Sequence, residues 1–495
     1  MTKSNQNNLR WWILLTVIIG TFLGRLDQTI VNLALPKIID AFSITVSSAG
    51  WIATAYILAN AVFVPIWGKL GDTLGRKKVY IIGFAVFILG SVLAGFAWDL
   101  KSMIVFRVIQ AIASSADYPT AMAIIAVTFR EGKERAQALG LWSASFAAAS
   151  VFGPLLGGPL IDGFGWRSVF LINLPIGIIG ILMALRFINE SKSEIKTTHF
   201  DWWGATTLGI MLSSLVLVLD KGSDWGWLSI SSSICYVLIV VFTYVFIKIE
   251  NNTKEPIVDL KFFKIPAFVN TLMNNFVVFM GMIGGLFLLP IFAQTFLGYN
   301  ATETGYLFMP MAAAMMIAAP LGGALSGKVK AKYIIFASTF VAAIGIFLFS
   351  FLDPKSGPLA IIIPLCIMAF GMGFGMAQRT NVIASVVKAN EIGIASSVLA
   401  LVRNIAGAFG IALFGTILNN RIYHNVLQIN TYSHLMSTSA VDFQKYVALI
   451  ILKAQINAYN YVFIISSIIV AVGSFAILSL KLKNEKSNIT VHVEG

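Results

Sequence analysis

The sequence predicts an all-α polytopic membrane protein: two six-helix bundles with two extra central helices, fourteen transmembrane helices in all. Three observations carry this expectation. First, 58% of the 495 residues are hydrophobic and only 12% are charged, where soluble domains are about half apolar and about a quarter charged. Second, the apolar runs are continuous and about 20 residues long, which is the length of a membrane-spanning helix and not of a barrel strand. Third, the basic residues favour one side of these runs.

Taken in order, the spans are expected near 11–35, 48–68, 78–97, 102–127, 136–158, 167–188, 202–220, 230–249, 266–292, 303–326, 333–352, 358–382, 391–418 and 457–481. Segments on the side of the N-terminus hold 24 of the 35 lysines and arginines, the opposite side holds eight, and Arg25, Arg107 and Arg403 lie within spans. An even number of spans with this bias predicts a multi-pass protein of the cell membrane, both termini cytoplasmic.

A repeat supports the two-bundle arrangement. Gly68-Lys-Leu-Gly-Asp-Thr-Leu-Gly-Arg-Lys-Lys-Val-Tyr80 joins the second and third spans. Gly323-Ala-Leu-Ser-Gly-Lys-Val-Lys-Ala-Lys332 repeats its glycine and basic pattern without the acid. The expected division is an N-terminal bundle over 1–188, two linking helices with their loops over 189–264, and a C-terminal bundle over 265–495. The second bundle includes a long polar outer loop, 419–456, with a short helix over Val441 to Leu452.

Composition excludes several classes. The net charge of +13 is scattered over short loops, so no nucleic acid is expected as a partner. Cys235 and Cys366 both lie in apolar spans, and the four histidines lie in loops or the tail, so neither a disulfide, a metal site nor a cofactor is expected. No Gly-x-x-x-x-Gly-Lys-Ser/Thr loop supports ATP-driven pumping, and no ring of like charges suggests a channel. The chain is read as a non-enzyme that functions as a monomer.

Charges within spans are costly and mark function. The first span holds Arg25 and Asp27, the fourth holds Arg107 and Asp117, the thirteenth Arg403, and Arg379 ends the twelfth. At about 1.5 Å per residue, Asp27 lies roughly 12 Å from the outer end of its helix and Arg107 roughly 8 Å from that of its own. The two are therefore close in depth and able to pair. Asp117 lies near mid-membrane, with Arg25 as its plausible partner. Hydrocarbon disfavours the charged form of a carboxyl, so Asp27 and Asp117 are proton-coupling candidates, with the choice between them open. Arg25, Arg403 and Arg379 are candidate cavity charges. In the loop, Gly68 and Gly75 permit close helix ends, Asp72 is the one acid and is able to bond Arg76 or a neighbouring helix end, and Arg76 and Lys77 mark the cytoplasmic side. In the fifth span Gly153, Pro154, Gly157 and Gly158 form a small-residue face with a bend, a candidate pivot.

Together these residues resemble the fourteen-helix drug:proton antiporter branch of the major facilitator superfamily. The motifs are Leu26-Asp-Gln-Thr-Ile-Val-Asn-Leu-Ala-Leu-Pro36, the loop above, Arg107-Val-Ile-Gln110 and Gly153-Pro-x-x-Gly-Gly158. The second half adds Leu289-Pro-Ile-Phe-Ala-Gln294 with Gly298, Gly305 and Pro310, and Arg403-x-x-x-Gly-x-x-Gly410. The resemblance implies alternating access through a central cavity, with proton-coupled export of hydrophobic or amphiphilic compounds. It makes Asp72 and Arg76 a latch between transport states, and links Asp27 and Arg107 to proton movement.

Departures temper the substrate class. The family usually has apolar residues where Arg25 and Asp117 stand, and Ala111 and Ala149 replace motif glycines. Counting Arg379 at the inner end of its helix, the span interiors carry four arginines and two aspartates, too few carboxylates to replace the water of a dication. The expected partners are a small amphiphilic substrate, protons and membrane lipids. The alternatives are an exporter or flippase of lipids or anionic amphiphiles with weak or no proton coupling and, more remotely, a non-transporting membrane sensor.

Overall fold

Proline, glycine and capping residues cut an almost continuously apolar chain into antiparallel rods. The computed structural model describes residues 3–129, 132–191, 201–253, 256–325, 328–387, 392–432 and 440–479. Their regular elements are helices: α1 (Lys3–Phe42), α2 (Val46–Leu74), α3 (Arg76–Gly95), α4 (Leu100–Ser114), α5 (Asp117–Thr128), α6 (Gly132–Phe164), α7 (Ser168–Leu171) and α8 (Asn173–Phe187), then α9 (Trp202–Trp225) and α10 (Ile230–Asn252). There follow α11 (Pro266–Phe296), α12 (Ala301–Ala324), α13 (Ala331–Leu348), α14 (Leu359–Ser385), α15 (Ile392–Tyr432) and α16 (Ala440–Ala476). Local chemistry sets the starts. Thr45, Asp99, Asp201, Ser229 and Asn300 each accept a backbone N–H of the following turn with their side chains. Gly75, Gly165, Gly226 and Gly298 end their helices at positive φ, where a Cβ would be strained.

Among the described residues, 12 helical stretches are long and apolar enough to cross a membrane. The remaining two expected spans, 102–127 and 136–158, correspond to α4 with α5 and to α6, and are not among the twelve. The fourth expected span is broken at Ser115 and Ala116. Pro119 explains the break, because it lacks the N–H that would bond the Ser115 carbonyl and its ring crowds that group. By contrast, α6 runs unbroken through Pro154 and Pro159.

Helices α1 to α8 pack chiefly on one another, as do α11 to α16. The halves meet through α6 against α12 and α2 against α15. With no water to drive helix association in lipid, close approach comes from small residues. A Cβ on Gly90 would lie 2.8 Å from the Gln110 nitrogen, and one on Gly345 would lie 2.4 Å from that of Met368. The α3–α4 and α13–α14 contacts are thus built alike, which extends the repeat seen in the loops. Helix α9 lies on both α2 and α15, whereas α10 packs chiefly on α9 and is largely exposed.

The segment 419–456 is not a loop for most of its length. Helix α15 continues to Tyr432, and the helix expected at Val441 to Leu452 is the first part of α16. The polar residues there belong to helices that continue past the apolar stretch, so polar composition did not mean irregular structure. Residues 433–439 lie outside the described residues.

Candidate functional site

Asp27 and Arg107 meet where α1, α4 and α8 of the first half converge, toward the end of the bundle remote from the N-terminus (the far end). Arg107 and Asp27 form an ion pair with Nη1 to Oδ2 at 2.6 Å, and both side chains are at most 2% exposed. Gln110, one helical turn after Arg107, accepts from its Nη1 at 2.6 Å and donates Nε2 to Asp27 Oδ1 at 2.9 Å. Asn173, at the start of α8, donates Nδ2 to Asp27 Oδ1 at 2.9 Å and to Ser91 Oγ at 2.8 Å. Ser91 in turn donates to the Phe170 carbonyl at 2.8 Å. The Arg107 guanidinium carbon stands 4.0 Å from the centroid of the Tyr56 ring, whose hydroxyl donates to Ser114 Oγ at 2.7 Å. Both carboxylate oxygens of Asp27 are met by donors, whereas Arg107 Nε and Asn173 Oδ1 are buried without a hydrogen-bond partner.

Asp117 is built differently. It is the first residue of α5, directly after the break. Its neighbours include Thr21 and Arg25 of α1. Trp142 Nε1 donates to Thr21 Oγ1 at 2.9 Å. Asp117 Oδ1 is shut off from solvent and has no hydrogen-bond partner. It borders a narrow gap lined by Gly20, Gly24, Tyr80, Gly83, Phe84 and Ser114, among others.

Arg25 donates Nη1 to Gln28 Oε1 at 3.1 Å and lies among Tyr56, Asp117 and Tyr118. Across the interface Arg403 of α15 lies near Arg25 and Tyr118, with its guanidinium carbon 5.4 Å from the Phe279 centroid. Arg379 is elsewhere, 2% exposed within the second half. Its Nε donates to Asn274 Oδ1 at 2.9 Å, and its Nη2 to Thr339 Oγ1 at 2.9 Å and Ser338 Oγ at 3.4 Å. The structure thus places Asp27 with Arg107, and Asp117 with Arg25 facing Arg403, and sets Arg379 among neutral partners.

The candidate latch is tied to its own half. Gly75 N donates to the Gly71 carbonyl at 3.2 Å and Arg76 N to the Ser191 carbonyl at 3.0 Å. Arg76 Nη1 reaches the Ala123 carbonyl at 3.5 Å, and Lys77 Nζ donates to the Leu185 carbonyl at 2.8 Å. The Glu190 carboxylate accepts from Lys77 N at 3.1 Å and Lys78 N at 3.3 Å, capping α3. The side chain of Asp72 lies outside the described residues, and Gly68 is described only as part of α2.

The small residues of α6 divide between two neighbours. A Cβ on Gly153 would fall 1.9 Å from Thr29 Oγ1, and one on Gly157 3.1 Å from Ile30, both on α1. On Gly158 it would fall 2.3 Å from the Thr302 Cα of α12, while Gly305 of α12 abuts the Pro154 carbonyl. The expected single face is therefore two, one inside the first half and one across the interface. Asp162 completes the crossing by accepting from Ala301 N at 3.2 Å, Thr302 N at 2.8 Å and Thr302 Oγ1 at 2.6 Å.

Sequence reasoning gave no role to Asn173, Ser91, Glu190, Asp162 or Asn274. For Asn173 and Asn274 the available signal was an amide inside an apolar helix, since such a group needs a partner in hydrocarbon.

The family model of the Major Facilitator Superfamily matches residues 17–411. The chain belongs to the Major Facilitator Superfamily. Among its relatives it is 34% identical over 422 residues to the multidrug transporter protein MdtP of Bacillus subtilis, covering 85% of this chain and 77% of that protein. It is 31% identical over 408 residues to the multidrug resistance protein Stp of Mycobacterium tuberculosis, covering 82% of this chain and 76% of the relative. In fold it is similar to a bacterial homologue of the human lysosomal transporter Spinster, inward-facing and unoccupied. There the TM-score is 0.69 and the identity 17%, over 98% of this chain and 100% of the other. Superfamily membership and these relatives make the chain a multi-pass membrane protein of transporter kind, and not of an enzyme family.

Proposed function

We propose that this superfamily member is a proton-coupled secondary transporter that exports hydrophobic or amphiphilic small molecules by alternating access, in the manner of the fourteen-helix drug:proton antiporters. The observation that carries the reading is the inward placement of the costly charges. Asp27 and Arg107 are sealed inside the first half, and Arg25 and Arg403 approach from the two halves. A chain that used the fold only as a scaffold would have no need of ionised groups in hydrocarbon. The names of the relatives, multidrug transporters and resistance proteins, support export and a small-molecule cargo.

In this reading all fourteen spans cross the membrane, α4 with α5 and α6 included, and both termini face the cytoplasm. The divisions fall at 1–188, 189–264 and 265–495. The far end is then outside, and there the hydrogen bonds between halves include Gln294 Nε2 to the Leu33 carbonyl at 3.0 Å and the Asp162 clasp. Asp72, Arg76 and Lys77 act as the inner latch, and Gly153, Pro154, Gly157 and Gly158 as the pivot on which α6 turns against α1 and α12.

A second reading, export of lipids or anionic amphiphiles, is favoured by one observation: Arg25 and Arg403 bring two cations to one place on the interface. Uptake into proteoliposomes decides between them. A panel of neutral N-phenylnaphthylamine, anionic fluorescein, monocationic ethidium and a dicationic bis-biguanide is tested with and without an imposed pH gradient. Gradient-dependent accumulation of the neutral or anionic probes is expected. Strong saturable uptake of the dication overturns the cargo class, and no response to the gradient overturns proton coupling.

A further inference from the structure

The first half holds two carboxyls in its membrane-embedded part, and their surroundings differ in a way that separates their roles. Asp27 Oδ2 receives Arg107 Nη1, and Oδ1 receives both Gln110 Nε2 and Asn173 Nδ2. Three donors, one of them cationic, make this site fit a carboxylate and leave no place for a proton. A proton arriving there would have to displace a donor and strand the Arg107 charge in the core.

Asp117 presents the opposite pattern. Its Oδ1 is buried and receives no hydrogen bond. A buried acceptor in that state is costly, more so when it carries charge. Beside it, across the space next to Gly20, stands the Tyr80 hydroxyl. A Cβ on Gly20 would lie 2.2 Å from Tyr80 Oη and 3.2 Å from Asp117 Oδ1. The Tyr80 hydrogen is already given to the Thr16 carbonyl at 3.0 Å, so the phenol oxygen is left as an acceptor. An acceptor facing an unfilled carboxyl oxygen suits a protonated carboxyl, which donates. The gap also opens onto Gly24, where a Cβ would meet nothing within 4 Å, and this leaves room for the carboxyl to turn.

Thr21 and Arg25 of α1 and Tyr80 of α3 face Asp117 directly. On the other helices packed against α5, Tyr56 of α2 lies by Arg25, as does Tyr118, Trp142 of α6 packs on Tyr118, and Arg76 of α3 reaches the Ala123 carbonyl. Arg25, the cation among them that offsets Asp117, also faces Arg403 of the second half.

We propose that Asp117 is the carboxyl that takes up and releases the coupled proton, while Asp27 stays ionised as a fixed strut. This rests on the proton-coupled reading above and assigns its carrier. In the uptake step an O–H bond of hydronium at the open face breaks and an O–H bond forms at Asp117, turning carboxylate into neutral acid. Release reverses both changes. Protonation removes the anion that offsets Arg25, and the repulsion between Arg25 and Arg403 is then felt across the interface. Deprotonation restores the balance. The proton thereby biases two arrangements of the halves without touching the cargo.

Infrared difference spectroscopy of the full chain in lipid, titrated from acid to alkaline pH, tests the assignment without any substrate. The wild type is expected to show a protonated-carboxyl C=O band that disappears on alkalisation. Asp117→Asn removes the band, Asp117→Glu returns it shifted, and Asp27→Asn leaves it in place. Where Asp27→Asn does not fold, the charge-neutral pair Asp27→Asn with Arg107→Gln takes its place. Glu250, Asp201 and Asp220, the other buried carboxyls among the described residues, contribute equally to all variants and cancel between spectra. A wild-type titration that does not differ from that of Asp117→Asn in the carboxyl C=O region, or a titrating component that is lost with Asp27→Asn instead, overturns the proposal.

Transport separates this from failure of the parent reading. The measure is accumulation with a pH gradient divided by accumulation without one, using whichever panel probe the wild type moves best. Asp117→Asn drops this ratio to unity, and the Asp27 variants keep it above unity although both rates fall. A wild-type ratio of unity, or a wild type that moves no probe, refutes proton-coupled export itself. A wild-type ratio preserved in Asp117→Asn refutes only the assignment.

Discussion

Neutralising one member of the Asp27–Arg107 pair is predicted to destabilise the protein far more than neutralising both. The two charges are 2.6 Å apart and at most 2% exposed. With an effective dielectric constant of about 20, two unit charges at that distance attract by roughly 6 kcal/mol before desolvation is subtracted. Desolvation offsets much of this in the intact pair, so the pair contributes little net stability. Asp27→Asn alone keeps the shape but leaves the Arg107 charge with Gln110 and the Tyr56 ring, a loss of about 3–5 kcal/mol for a buried pair broken on one side. Arg107→Gln alone leaves the Asp27 carboxylate with two amide donors and a similar loss. The double variant removes both charges, retains the Gln110 and Asn173 donors, and should recover most of the difference. The coupling in a double-mutant cycle should therefore reach at least about 2 kcal/mol. The assay is reversible unfolding by sodium dodecyl sulfate in mixed micelles, followed by tryptophan fluorescence. Losses that simply add, with the double variant as unstable as the sum of the singles, would show that the pair is not the isolated buried unit described here.

Further outcomes follow from single contacts. Gly158→Ala places a methyl against the Thr302 Cα, where a Cβ would be 2.3 Å away. Since backbone cannot yield as a side chain can, it should part α6 from α12 and raise thiol labelling of a cysteine placed at Thr302, while an unchanged labelling rate would refute the contact. Glu190→Ala strips the cap from α3 and should lower stability by about 1 kcal/mol, a loss that Glu190→Asp or Gln makes good in part and that unfolding in micelles reports. Asp99 caps α4, and the Ser102 backbone N–H, aided by the Ser102 side chain, holds its carboxyl below the usual range. A depressed folded value means that this stabilisation is present above the unfolded value and is lost as pH falls through the folded one. Asp99→Asn, which retains an acceptor, should flatten the acid limb of the stability profile over that window, and an unaltered limb would contradict the assignment.

Much of the architecture is legible in the chain, because lipid permits few solutions and continuous apolar runs announce them. The Asp27–Arg107 pairing is legible too, from depth along two antiparallel helices. The break at Ser115 and Ala116 is not, since a run of small residues looks continuous, and it is Pro119 that sets Asp117 at a fresh helix start. Nor does composition distinguish a loop from a helix that outruns the membrane, as α15 and α16 show. The neutral members of the network, Asn173 and Ser91, are illegible for another reason. Nothing in their own segments tells which distant carboxyl an amide serves, and Asn173 lies 146 residues from Asp27.

The repeat acquires meaning once these neutral partners are seen. In each half an arginine of the helix that follows a glycine-packed neighbour is buried against the first long helix of that half. Arg107 of α4 bonds Asp27 of α1, and Arg379 of α14 bonds Asn274 of α11. The helices α4 and α14 both start at the far end. At 1.5 Å per residue Arg107 lies about 10 Å along its helix and Arg379 about 30 Å along its own. The two clusters therefore sit toward opposite ends of the bundle. One is neutral as a unit, and the other is a cation held by Asn274, Ser338 and Thr339. Asn274, Ser338 and Thr339 are neutral, so no carboxyl offsets Arg379 among these partners. In the proposed mechanism, with Asp27 paired to Arg107, the adjustable charge is that of Asp117, and its neighbour Arg25 faces Arg403 across the interface. A transporter of this design need not change the packing inside either half to respond to a proton. It has only to change how the halves repel one another, and that is the one degree of freedom alternating access requires.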